Sequence, residues 1–224
     1  MSSKKGRIRV LVWSERTEPE QSYPNGINGA IAAFLNSQGM EARASGLNDP
    51  DQGLRLELLE SVDVVVWWGH MKHGEVNDDK VENIVKRVRE NGMGFIALHS
   101  AHFSKPFKTL LGTDCSLGSW REDGLPELIH AFNRKHPIAR GVKDFVLKSE
   151  EMYGEPFAVP KPQDTVFISV FEADGAVFRS GLTWKVGKGR VFYFRPGHET
   201  YPTFRNRNVL KVLKNAVTWA SGRI

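Results

Sequence analysis

Five of the seven histidines, His70, His73, His99, His102 and His198, follow apolar runs with the character of buried β-strands. Those runs are Val62–Trp68, Gly94–Leu98 and Arg190–Phe194, and they lead into GHMKH, HSAH and RPGHE. His70 and His73 are three residues apart, as are His99 and His102. An i, i+3 pair near a turn can place both imidazoles on one side, which suits zinc or another first-row divalent ion. His198 can approach the same mouth from the last long run. Glu151, within SEEMYGE, offers a carboxylate ligand or a general base. A single His-x-x-His also arises where imidazoles cap helices or bond carbonyls, so the case rests on convergence. His130, inside a predicted strand, reads as a structural histidine, and His136, before Pro137, as a turn residue.

Other groups complete a possible pocket. Glu15, Tyr23, Asn25 and Asn28 follow the first strand, and Trp67, Trp68, Trp120, Tyr153 and Tyr201 offer flat apolar faces with polar tips. Aromatic platforms beside carboxylates and amides suit a sugar, whose C–H faces stack while its hydroxyls need partners. For Trp67 and Trp68 a core role, and for Tyr201 a loop anchor, fit equally well. GKGRVFYF lacks the spacing of a phosphate loop or dinucleotide fingerprint and reads as a hairpin turn. No G-x-S-x-G elbow is present.

The elements that must carry these residues alternate. Ile8–Trp13 reads as a strand, Ile27–Asn36 as a helix, Met40–Ala44 as a strand, Leu54–Glu60 as a short helix and Val62–Trp68 as a strand apolar on both faces. Asn77–Glu90 is a helix with Val81, Ile84, Val85 and Val88 on one face, and Gly94–Leu98 is the next strand. This alternation predicts an α/β fold with a mostly parallel sheet. From Glu127 onward strand signals dominate: Leu128–Phe132, Phe145–Lys148, Val166–Phe171, Val177–Thr183 and Arg190–Phe194, read as antiparallel additions at the sheet edge. A last helix spans about Arg205–Ala220. In such sheets ligands bind at the carboxyl ends of the strands, where the histidines fall.

Composition narrows the function classes. With no linker or repeat, residues 1–224 read as one domain. The net charge of +5 is spread among acidic residues, as in Asp78–Glu90, and forms no basic stripe, so no nucleic-acid partner is expected. No run approaches the ~20 apolar residues of a membrane span, and no membrane partner is expected. The single cysteine, Cys115, excludes an intramolecular disulfide and fits a cytoplasmic protein. The aromatic and Pro-rich stretch Tyr153–Pro162 reads as an exposed loop and a homo-oligomer contact.

GFIALHSAH, EEMYGEPF, TWKVGKGRVFYFRPGHETYP and the closing NAVTWASG together resemble the ThuA-like trehalose utilisation proteins, and YPNGINGAIAAFL resembles a bacterial branch of them. The resemblance covers nearly the whole chain. It implies a class I glutamine amidotransferase-like fold, a flavodoxin-like three-layer α/β sandwich. Amidotransferases place a nucleophilic cysteine at the turn after the strand matching Gly94–Leu98. Here that turn carries His99 and Ser100, so glutaminase chemistry is not expected. His99, Glu151, Tyr153 and His198 match family motifs, whereas His70, His73 and His102 look like features of the branch.

The resulting expectation is a carbohydrate-catabolism enzyme acting on a trehalose-type disaccharide or keto-sugar. A divalent metal, zinc by preference, would be held by His70, His102, His198 and Glu151. Catalysis would fall to His99, Glu151 and Tyr153, and Glu15, Tyr23, Trp120 and Tyr201 would contact the sugar. Two alternatives stand beside it: a non-catalytic sugar-binding or regulatory protein on the same scaffold, and a hydrolase using Ser100 with His198.

Overall fold

Apolar periodicity accounts for most elements of the computed structural model, which describes residues 6–224. In chain order they are β1 (Arg9–Ser14), α1 (Gly26–Ser37), β2 (Glu41–Gly46), α2 (Leu56–Ser61), β3 (Val64–Trp68), α3 (Asp78–Asn91), β4 (Gly94–Leu98) and α4 (Lys105–Leu111). There follow β5 (Ser119–Ala131), β6 (Phe145–Gly154), β7 (Asp164–Phe171), β8 (Ala176–Val186), β9 (Gly189–Phe194) and α5 (Arg207–Ala220). In α3, Val81, Ile84, Val85 and Val88 form the buried stripe. Asp78 and Asp79 complement the N-terminal dipole, and left-handed Gly92 ends the helix. The Asn206 side chain caps α5 through the backbone N–H groups of Asn208 and Val209.

Among the described residues the strands form one sheet in the order β2-β1-β3-β4-β9-β8-β7-β5-β6. The pairings from β2 to β9 are parallel and those from β9 to β6 antiparallel. The sheet is therefore mixed, and the expectation of a mostly parallel one is corrected. The reason is connectivity. The turns between β7 and β8 and between β8 and β9 are too short for the crossover that a parallel pair needs. One core lies between the sheet and α1 and α5; the other lies against α2, α3 and α4.

Two features bear on the site. β1, β3, β4 and β9 run the same way, so the segments after them open on one edge. β6 also runs six residues past the expected end at Lys148, pairing with β5 as far as Ser119–Gly154. β5 touches β7 only through Leu128–Ala131, so the outer β5–β6 ribbon continues alone beyond it. Glu151 and Tyr153 consequently sit within a strand. Tyr153 and Phe157 are buried, so these two aromatics of the expected oligomer contact point inward.

Candidate functional site

Each segment on the carboxyl edge is shaped by local backbone demands. After β3, the Glu15 carboxylate accepts the backbone N–H groups of His70, Met71 and Lys72 at 2.9, 2.8 and 2.9 Å. A Cβ on Gly69 would lie 2.7 Å from Glu15 Oε1, so glycine lets the loop close on the carboxylate. After β4, His99 takes the left-handed conformation with φ 56°. Such a conformation costs a non-glycine residue about 1–3 kcal/mol and persists where the surroundings impose it. After β9, Gly197 (φ 139°) lets the chain pass Phe204, whose ring would lie 2.6 Å from an added Cβ.

These loops bring three imidazoles into a triangle. Ring centroids are 5.1 Å apart for His70–His99, 5.0 Å for His70–His198 and 5.4 Å for His99–His198. Glu199 joins them through a 2.6 Å contact between its Oε1 and His70 Nδ1. One ligand atom from each of His70, His99, His198 and Glu199 lies within 4.8 Å of the others. His99 Nδ1 donates to the Arg195 carbonyl at 3.4 Å, which leaves Nε2 as the lone-pair nitrogen of the neutral ring. His198 Nδ1 meets Thr200 Oγ1 at 2.8 Å. Among the described residues, His99 Nε2, His198 Nε2 and Glu199 Oε2 are buried without hydrogen-bond partners.

Protonation follows from burial and charge. Burial, reinforced by the positive charges of His70, His198 and Arg195, holds His99 well below the ordinary histidine range. His198 is also lowered, chiefly by burial. For His70, burial is outweighed by the hydrogen bond and charge of Glu199, which raise it. Glu199 is lowered in turn, because His70 outweighs its desolvation.

Glu151 Oε2 lies 3.3 Å from His99 Nε2. Burial pushes the Glu151 carboxyl up to about 7, despite the nearby charges of His70 and Arg195. Tyr153, two residues along β6 and so on the same face, stacks on His99 at 5.6 Å and hydrogen-bonds Ser100 Oγ. Neighbouring Glu150 faces the opposite way. Its carboxylate accepts from Gly197 N at 3.3 Å and from the Thr203 hydroxyl, and lies 3.6 Å from buried Arg195. Arg195 also pairs with buried Glu127 and donates to the Glu151 carbonyl. This buried charge network anchors the His198 loop to β5 and β6.

The expected ligands therefore divide. His70 and His198 lie in the cluster, as does His99, which was expected to act as acid/base. His102 lies apart: Nδ1 donates to the Cys115 carbonyl at 2.8 Å, and its ring packs on Phe103, Tyr153, Phe157 and Tyr193. The i, i+3 argument needs helical φ at both ends, and φ 56° at His99 breaks it. His73 likewise turns from His70 to Glu15, with Nδ1 3.2 Å from Oε1. Glu151 borders the cluster without belonging to the four.

Among the expected sugar contacts, Glu15 is occupied by backbone donors. Tyr23 is buried, its hydroxyl donating to the Tyr201 carbonyl at 2.7 Å and accepting from Phe204 N at 3.1 Å. Both are structural. Tyr201 lies against His198 with centroids 5.3 Å apart, and Trp120 is 64% exposed on the ribbon. Cys115 is buried, and burial pushes its thiol up, away from nucleophilic use. The residues that spacing did not reveal are Glu199, Glu127, Glu150 and Arg195. The adjacent acids Glu150-Glu151 on a strand, which must face opposite ways, were the available signal.

The model of the family described as ThuA, trehalose utilisation, matches residues 9–220. No curated protein matches the chain. A ThuA-like protein from Bacteroides uniformis ATCC 8492 superposes with TM-score 0.66 at 17% identity, covering 98% of this chain and 94% of the other. One from Parabacteroides merdae ATCC 43184 gives 0.67 at 15%, covering 96% and 90%. A GMP synthase-type protein from Thermoplasma acidophilum gives 0.54 at 11%, covering 97% and 96%. At these identities the likeness is one of fold alone.

Proposed function

Because the chain belongs to the ThuA family, whose description is trehalose utilisation, we propose that it is a metal-dependent enzyme acting on a disaccharide or a keto-sugar derived from one. The observation that carries the reading is the His70–His99–His198 triangle with Glu199 at its side. Three imidazoles and a carboxylate match the donor set of a first-row divalent ion such as zinc. The buried His99 Nε2 and Glu199 Oε2, which make no hydrogen bond, are atoms such an ion would satisfy, and His198 would offer Nε2 with its ring proton on Nδ1 toward the Thr200 hydroxyl. The Arg195 carbonyl and Thr200 hydroxyl behind the rings supply the outer-shell contacts that orient ligand histidines.

A bound divalent ion supplies Lewis acidity toward a carbonyl or a water. Glu151, with its carboxyl poised near neutrality beside His99, holds or releases a proton at Oε2. Tyr153 fixes the wall next to it through Ser100 and the stacked His99 ring. His99 occupies the strained turn as a neutral donor, replacing its expected role as acid/base.

Metal analysis after chelation and reloading tests this reading. Wild type is expected to retain one equivalent of zinc, and His70→Ala, His99→Ala and His198→Ala to lose it. His130→Ala, whose ring pairs with Asp144 outside the cluster, should retain it. Glu151→Gln should keep the metal and lose turnover of the disaccharide or keto-sugar. A wild-type protein that takes up no divalent ion would overturn the metal centre.

A further inference from the structure

The outer β5–β6 ribbon carries an irregularity directly beside the cluster. Pairing steps from Arg121↔Met152 to Leu125↔Glu150, so Glu122, Asp123 and Gly124 bulge opposite Glu151. Left-handed Gly124 (φ 66°) passes close under Tyr201, where a Cβ would lie 2.9 Å from the hydroxyl. Arg121 pins the bulge through ion pairs to Asp123 and, across the β7–β8 turn, to Asp174. Trp120 pairs in register with Tyr153 and shares its face, yet is 64% exposed. Glu122, next but one, shares that face, and its Oε1 reaches to 3.3 Å from His198 Nε2.

We propose that this bulge, Trp120–Gly124, is the substrate-recognition strap of the site, with Trp120 stacking on a pyranose ring and Glu122 accepting hydrogen bonds from its hydroxyls. The inference rests on the carbohydrate reading above and adds the recognition element and the substrate's charge class. A solvent-facing indole offers a flat surface for the C–H face of a sugar, and an ionised carboxylate is an acceptor only, matched to hydroxyl donors. Glu122, half-exposed on the strap next to the stacking indole, places its carboxylate where a phosphate on the same sugar would lie and disfavours a phosphorylated ligand. The strap therefore selects a neutral saccharide.

Calorimetric titration of the zinc-loaded full chain with trehalose and with trehalose 6-phosphate tests the strap. Wild type should bind trehalose more tightly than its phosphate. Trp120→Ala and Glu122→Gln should each weaken trehalose binding about tenfold, the scale of a lost aromatic contact or charged hydrogen bond. Trp120→Phe should recover most of the loss, and Phe132→Ala, an exposed aromatic outside the ribbon bulge, should match wild type. Melting curves should stay unchanged for Trp120→Ala. Unaltered trehalose binding in both strap variants, or tighter binding of the phosphate, overturns the strap and leaves the carbohydrate reading standing. A wild type that binds neither sugar, with or without zinc, overturns both.

Discussion

His102 offers a quantitative test of the difference between a ligand histidine and a core histidine. Its ring is fully buried, and burial, strengthened by the charges of His73 and Lys108 against the opposing Cys115 hydrogen bond, lowers its pKa to about 3. In the unfolded chain the same ring titrates near 6.5. Between those values the unfolded state binds a proton that the native state refuses, so stability falls as pH falls. Each unit amounts to about 1.4 kcal/mol, giving about 2 kcal/mol by pH 5 and about 4 kcal/mol by pH 3. His102→Gln removes the titration while keeping an amide donor for the Cys115 carbonyl. Urea unfolding of metal-free protein at pH 7.5 and pH 5 isolates the effect as a difference of differences. The variant is expected to be less stable than wild type at pH 7.5, with the deficit shrinking by about 2 kcal/mol at pH 5. A deficit equal at both pH values would refute the buried neutral imidazole. Zinc retention should be unchanged in His102→Gln, and its loss would return His102 to the ligand set.

Three further outcomes follow from the scaffold. Arg195→Met strands Glu127 and Glu150 without their cation and should cost about 3–5 kcal/mol in urea unfolding; a loss below about 1 kcal/mol would contradict the stabilising role given to this network. Tyr23→Phe removes the hydroxyl joining Tyr201 O to Phe204 N and should lower stability by about 1–3 kcal/mol, read as a shift in thermal midpoint. Gly197→Ala forces a Cβ against Phe204 at an unfavourable φ and should destabilise by about 1–3 kcal/mol, with impaired zinc retention because His198 follows directly. An Ala variant that melts like wild type would contradict the close approach.

Much of the frame was legible because burial writes itself into composition. Val64–Trp68 and Gly94–Leu98 are apolar at every position because both faces are covered, and their ends place His70 and His99. The stripes of α3 and α5 were equally plain. Strand direction in the second half was legible from the turns rather than from the strands: apolar alternation is the same in parallel and antiparallel pairs, and the short turns after β7 and β8 carry the antiparallel pairing expected there. The outer part of β6 was hidden because SEEMYG is polar; its side chains are buried against partners from other segments, such as Thr203, Arg195, His99 and Ser100, rather than by apolar character. In the site, position was readable and partnership was not. Nothing in HSAH reveals that His99 adopts φ 56° and parts company with His102, and nothing in GHE reveals that Glu199 turns toward His70.

The neighbouring acids of β6 make the site depend on parity. Glu151 stands beside the imidazoles and Glu150 holds the loop that delivers one of them, solely because consecutive residues of a strand face apart. A one-residue deletion between Phe145 and Glu150 would leave both carboxylates in the chain but tend to exchange their surroundings. Glu151 would turn into the arginine network, and Glu150 would turn toward the imidazole cluster. Strand registration thus assigns these two chemically identical side chains their separate occupations, and the sheet edge that pairs last in the strand order is the one that assigns them.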